Sequence, residues 1–189
     1  MENEKIQFVK SNLYNDDSFE LVSINAGDDT LKKGRCKSEA VCILPFDLSE
    51  QNKIKDLYLL KQEDFFNKNV IRTCLTEDIN DSIDDDSFDT FKRCIHKDLA
   101  IKNFNNIDSC YYLGKISHTD PIVKDYYCYG ICLNDYIKGP NGFTPDLPTE
   151  EVNGKYYTLD KIRFSKAIKG EVNDSLVLSS CMLLISYIS

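Results

Sequence analysis

The chain has no tryptophan, two histidines and two methionines, and only 4 of its 23 basic residues are arginine. Each scarcity narrows the reading. No G-x-G-x-x-G and no P-loop pattern occurs among the eight glycines, which argues against a loop cradling phosphate through backbone amides. No Cys-x-x-Cys knuckle occurs, which argues against a structural zinc site. The nearest spacing, Cys128 and Cys132 in CYGIC, puts both side chains on one face of a strand. Basic charge is in deficit: 31 acidic residues against 23 basic ones give a formal charge of −8, so a large nucleic-acid footprint is not expected. No apolar run reaches the roughly 20 residues of a membrane span; the longest uncharged one, SLVLSSCMLLISYIS at 175–189, reads as a core-packed final helix. The opening MENEKIQFVK is charged and does not look like a secretory leader.

What is present fits one domain with a sizeable core: 189 residues, 42% of them hydrophobic. The eight cysteines (36, 42, 74, 94, 110, 128, 132 and 181) are scattered, and we read them as reduced, mostly buried thiols in a cytoplasmic setting. Abundant lysine, asparagine and isoleucine point to an AT-rich genome, as in many phages and low-GC bacteria.

Along the chain, residues 1–37 alternate short apolar pieces with polar turns and read as a β-rich extension to a domain over 38–189. AVCILPFDL and DLYLLKQEDFF read as a hairpin with SEQNKIK as its turn, and VIRTCL as a third strand. EDINDSIDDDSFD, 77–89, reads as a solvated loop feeding a helix N-terminus. A calcium loop is disfavoured there: Asp78, Asn80 and Ser82 alternate suitably, but Ile83 replaces the turn glycine and no glutamate closes the loop. Phe88, Phe91, Ile95 and Leu99 recur at three, four and four residues, one stripe of a helix, with Asp89 placed to pair with Arg93. CYYLGKI and DYYCYGICLND follow as strands, 138–151 as a long proline-bearing loop, and NGKYYTLDKI as a strand turning into a short helix. Tyr126, Tyr127 and Tyr129 suit packing more than base stacking, and neither His96 nor His118 has a telling nucleophilic partner. The order of elements predicts an α+β fold, an α/β/α sandwich.

This order of elements, from about residue 40 to the end, resembles the Nudix family, a mixed sheet flanked by helices. FDTFKRCIHKDLAI, 88–101, resembles the helix of the box G-x5-E-x7-R-E-U-x-E-E-x-G-U, where U is apolar. Arg93 falls on the box arginine, Ile95 and Ile101 on U. Cys94 falls on the first essential glutamate, Lys97 and Asp98 on the glutamate pair, Ala100 on the late glycine. Counting back places Asp85 on the early glutamate and Ile79 on the leading glycine. In the family those glutamates hold magnesium against a pyrophosphate. Here a soft sulfur and a cation stand where hard oxygens belong. Two positive charges at a few ångströms repel by about 1 to 4 kcal/mol.

The resemblance therefore implies a non-catalytic Nudix-fold protein, with degenerate box positions Asp85, Arg93, Cys94, Lys97 and Asp98, no metal and no cofactor. Its expected role is structural: protein partners in a multi-subunit assembly, such as the tail or portal region of a phage virion, with neither nucleic acid nor membrane as partner. The N-terminal extension, the proline-bearing loop and the apolar C-terminus are the expected docking elements. Two alternatives stay open. One is a divergent magnesium-dependent hydrolase of nucleoside diphosphate-linked substrates, its site rebuilt from Asp85, Asp98 and loop acids such as Asp146, Glu150 and Glu151. The other is a nucleotide-binding regulator.

Overall fold

A computed structural model describes residues 8–15, 19–26, 29–36, 39–63, 70–80, 83–84, 86–99, 101, 109–118, 122–137, 148–152 and 155–188. Its strands are β1 Phe8–Asn15, β2 Phe19–Ala26, β3 Asp29–Cys36, β4 Ala40–Leu48, β5 Ile54–Glu63, β6 Val70–Thr73, β7 Leu75–Asp78, β8 Cys110–His118, β9 Ile122–Cys132, β10 Pro148–Val152 and β11 Lys155–Arg163. The helices are α1 Ser87–Asp98, α2 Asn134–Ile137, α3 Phe164–Lys166 and α4 Ser175–Ile188. A π-type turn, Ala167–Glu171, follows α3. The strands form one mixed sheet in the order β1-β2-β3-β9-β4-β5-β11-β10, with β6 beside β5, β7 beside β4 and β8 beside β9.

The centre of the sheet explains the layering. In β4, Ala40–Asp47 are all buried, as expected of a strand covered on both faces. Side chains alternate across the sheet. Cys42, Leu44 and Phe46 enter a core under α4, with Leu57, Leu59, Cys128, Val177, Cys181 and Leu184. Val41 and Ile43 face the other way into a core under α1, with Tyr58, Leu75, Phe91, Ile95 and Leu133. A helix thus covers each face of the sheet, and the fold is α+β as expected. Gly130 on β9 allows α4 to approach closely: a Cβ there would lie 3.2 Å from Phe46 and 3.3 Å from Leu184. Gly114, at φ +131°, occupies the register shift between β8 and β9, where an L side chain would be strained.

Several boundaries differ from expectation. Within 8–36 the chain forms β1 to β3, and β3 pairs in parallel with β9 through Gly34 with Ile122 and Arg35 with Val123. The segment read as a strand through Asp135 ends at Cys132, where the Leu133 N–H bonds Phe46 O at 2.8 Å and α2 begins. The proline-bearing stretch closes as strand: β10 pairs Glu150 with Tyr157 and Glu151 with Tyr156. Residues 138–147, including Asp146, lie outside the described residues.

α4 packs through Leu176, Val177, Ser180, Cys181 and Leu184, and Asp174 Oδ1 caps its start by accepting the Val177 N–H at 2.9 Å. Among the described residues no helix is long and apolar enough to cross a membrane.

Candidate functional site

α1 begins where Asp86 turns its carboxylate back to accept the N–H groups of Phe88 at 2.8 Å and Asp89 at 3.0 Å. Its buried stripe is the expected one. Phe91 and Ile95 are fully buried, Leu99 nearly so, and Phe88 packs at the edge. Phe91 stacks on Tyr129 with ring centroids 4.8 Å apart, and Tyr129 shares a 2.8 Å hydrogen bond with Ser87. His96 is exposed, off the stripe.

The adjoining face of α1 meets β7 and the acidic segment after it. Arg93 is the hub. Its Nε donates to Asp84 Oδ1 at 3.2 Å and its Nη2 to Asp84 Oδ2 at 2.7 Å, a two-nitrogen grip. Its Nη1 donates to Glu77 Oε1, and Nη2 also reaches the Asp78 carbonyl at 3.3 Å. Asp84 accepts further from the Asn80 N–H at 3.1 Å and the Thr90 hydroxyl at 2.8 Å. The Arg93 guanidinium, first, and these other donors hold the Asp84 carboxyl well below the usual carboxylate range. Asp84, foremost, and Glu77 raise the Arg93 pKa further above its already high value.

Arg93 is therefore a half-buried anchor rather than part of a solvated face. The expected Asp89–Arg93 pair does not form; Asp89 pairs with Lys92 instead. Asp84 is the acid of this segment that meets Arg93, and Asp85, which counting placed on the early glutamate, lies outside the described residues. The 77–89 stretch is also not one solvated loop, since Glu77 and Asp78 end β7 and Asp84 is only 8% exposed.

The next residue of α1 after Arg93 is Cys94. Its thiol is buried and donates to Asp98 Oδ2 at 3.1 Å. Burial pushes the thiol pKa up, and the nearby carboxylates of Asp98 and Glu77 push it further, so the sulfur stays protonated and neutral at ordinary pH. Glu77, Cys94 and Asp98 bring one ligand atom each within 4.8 Å of one another. Lys97 faces the same group, with Nζ 3.8 Å from Glu77 Oε2. Three of the sequence-derived positions (Cys94, Lys97 and Asp98) thus converge on one spot, and Arg93 borders it. Glu150 and Glu151 are placed on β10 by backbone alone, and their side chains are outside what is described.

Glu77 was missed by sequence reasoning. The signal was the two-residue period of β7, which puts Glu77 on the same side as buried Leu75, toward α1. Chemically, the site offers one carboxylate engaged by two cations, Glu77, a second, Asp98, that accepts from the thiol, and the neutral thiol itself. Magnesium binds near-octahedral sets of hard oxygens. Here it would have to displace Arg93 and Lys97 from Glu77, and Cys94 would contribute only a poor ligand.

No protein-family profile matches the sequence, and comparison with curated proteins gives no match. Solved structures do match. An ADP compounds hydrolase superposes with a TM-score of 0.56 at 14% identity, covering 100% of this chain and 96% of that one. NrtR from Shewanella oneidensis superposes with a TM-score of 0.49 at 10% identity, covering 80% of this chain and 64% of that one. The likeness to the hydrolase is one of fold, and with the helix-on-sheet arrangement described above it establishes that this chain has a Nudix-like fold.

Proposed function

We propose that this chain is a non-catalytic Nudix-fold protein that works through protein partners and needs no cofactor. One observation carries the reading. At the position aligned with the first essential glutamate stands Cys94, a buried neutral thiol whose S–H donates a hydrogen bond to Asp98. A fold does not guarantee its usual activity, and the site decides. Glu77, the nearest carboxylate able to compensate, is held by Arg93 and approached by Lys97. On this reading the chain takes a structural place in a larger assembly. The virion setting rests on composition alone.

The test is a hydrolysis panel with magnesium: nucleoside diphosphate sugars and dinucleotides read as phosphate released after phosphatase treatment, nucleoside triphosphates as phosphate released after inorganic pyrophosphatase treatment. The expected result is release at the no-protein rate.

A second reading, a divergent hydrolase, is favoured by the convergence of Glu77, Cys94 and Asp98 within 4.8 Å. It predicts turnover that Asp98→Asn abolishes, and that result would replace the first reading.

A further inference from the structure

Five of the eight cysteines, at 42, 74, 128, 132 and 181, sit in the single core beneath α4. Two of them are directly opposed. Cys42 on β4 and Cys128 on β9 are register partners in the parallel pairing of these strands. Both are 0% exposed. Ser180 of α4 lies over the pair, its hydroxyl 3.5 Å from Cys42 Sγ and donating to Cys128 Sγ at 3.9 Å.

Adjacent strands lie about 4.7–4.9 Å apart, inside the roughly 4.4–6.8 Å separation of Cα atoms that a disulfide spans. Cβ atoms of parallel register partners point the same way and stay near the strand spacing. That is wider than the preferred separation of about 3.5–4.5 Å, so a bond here forms under strain and is readily reduced.

We propose that Cys42 and Cys128 are an oxidisable pair that closes to a reversible disulfide across β4 and β9, with α4 as the gate. The oxidant is a low-molecular-weight disulfide. One protein thiolate attacks a sulfur of the reagent, releasing one reagent thiol and leaving a mixed disulfide. The second protein thiolate attacks the protein sulfur of that mixed disulfide and releases the second reagent thiol. The protein loses two hydrogens, and the reagent is reduced to two thiols.

The gate follows from the chemistry of the nucleophile, which is the thiolate. Burial, above all, raises the Cys42 pKa, and the neighbouring Cys42 sulfur, then burial, raises that of Cys128. Under closed α4 both are protonated and sealed. Lifting α4 removes Ser180 and admits reagent and water, a local opening of the kind that precedes global unfolding. Over 175–188 the helix carries no charged residue, and its hold on the sheet is mainly apolar, through Leu176, Val177, Cys181 and Leu184. Cys74, in the same core as Cys42, is the competing partner.

This inference stands apart from the function proposed above. The test uses the reduced full chain and hydroxyethyl disulfide at pH 8. Samples are quenched in acid, digested without reductant and read by mass spectrometry. The expected product has lost two hydrogens, links the Cys42 and Cys128 peptides, and is reversed by dithiothreitol. Leu184→Ala, which loosens α4, is expected to speed formation roughly tenfold or more. Should that variant fail to fold, sub-denaturing urea on the wild type supplies the same acceleration. A Cys42–Cys74 link, mixed disulfides that never resolve, or no oxidation while the unfolded chain oxidises would overturn the pair. A rate indifferent to both perturbations would overturn the gate.

Discussion

Arg93 holds Asp84 through two nitrogens, at 3.2 and 2.7 Å, and so ties α1 to the acidic segment that precedes it. Asp84 is nearly sealed from water, and removing the guanidinium leaves its charge without its main partner. Arg93→Ala is expected to lower the urea midpoint clearly more than Lys92→Ala, whose lysine pairs with Asp89 at the surface. Chemical denaturation of the two variants side by side checks this. Equal midpoints would mean that the grip contributes nothing.

The same contact sets an acid dependence. Asp84 has its carboxyl pKa depressed below the ordinary 3.8, chiefly by Arg93. A depressed folded value means that the unfolded chain binds the proton first as pH falls. The stabilisation is present above the unfolded value and is lost progressively as pH drops below it toward the folded one. Wild-type stability is therefore expected to fall more steeply below about pH 4 than that of Asp84→Asn. Parallel slopes for the two proteins in this range would contradict the assignment.

Phe91 tests the helix register. It is fully buried between α1 and the sheet and stacks on Tyr129. Phe91→Ala is expected to cost about 3 to 5 kcal/mol in unfolding free energy. An unchanged denaturation midpoint would reject this packing, and with it the placement of Cys94 and Asp98.

Thiol chemistry follows from burial. All seven cysteines with described side chains are free, and only Cys110 is partly exposed. Burial pushes the thiols of Cys110 and Cys181 up to about 12, so few thiolates exist at pH 8. Iodoacetamide labelling of the reduced native protein is expected to be slow and to mark Cys110 ahead of the fully buried thiols. The reduced chain in denaturant is expected to yield all eight free thiols. Rapid native labelling of Cys94 would show that its side of α1 is open.

The layered fold was legible because hydrophobic periodicity states it directly. β4 reads as an unbroken apolar strand, and Phe91, Ile95 and Leu99 mark the inner side of α1. The partners of Arg93 were less legible. Asp84, Asp85 and Asp86 are consecutive, and counting along a loop cannot say which one turns inward. In the fold Asp86 caps the helix and Asp84 meets Arg93, a division of labour fixed by tertiary contacts. Glu77 arrives from a strand 16 residues upstream of Arg93, beyond the reach of helix spacing rules. The parallel pairing of Cys42 with Cys128 joins residues far apart in the chain, so only topology reveals it.

The central claim is that the spot formed by Glu77, Cys94, Lys97 and Asp98 does not support magnesium chemistry. Its most direct test is titration calorimetry with magnesium on the wild type and on the double variant Cys94→Glu, Lys97→Glu. The double change removes one cation and adds two carboxylates facing Glu77 and Asp98. The account predicts no measurable heat of site binding for the wild type and a saturable one-site isotherm for the double variant, with Lys97→Glu alone recovering part of the affinity. Tight magnesium binding by the wild type, lost in Asp98→Asn, would contradict it.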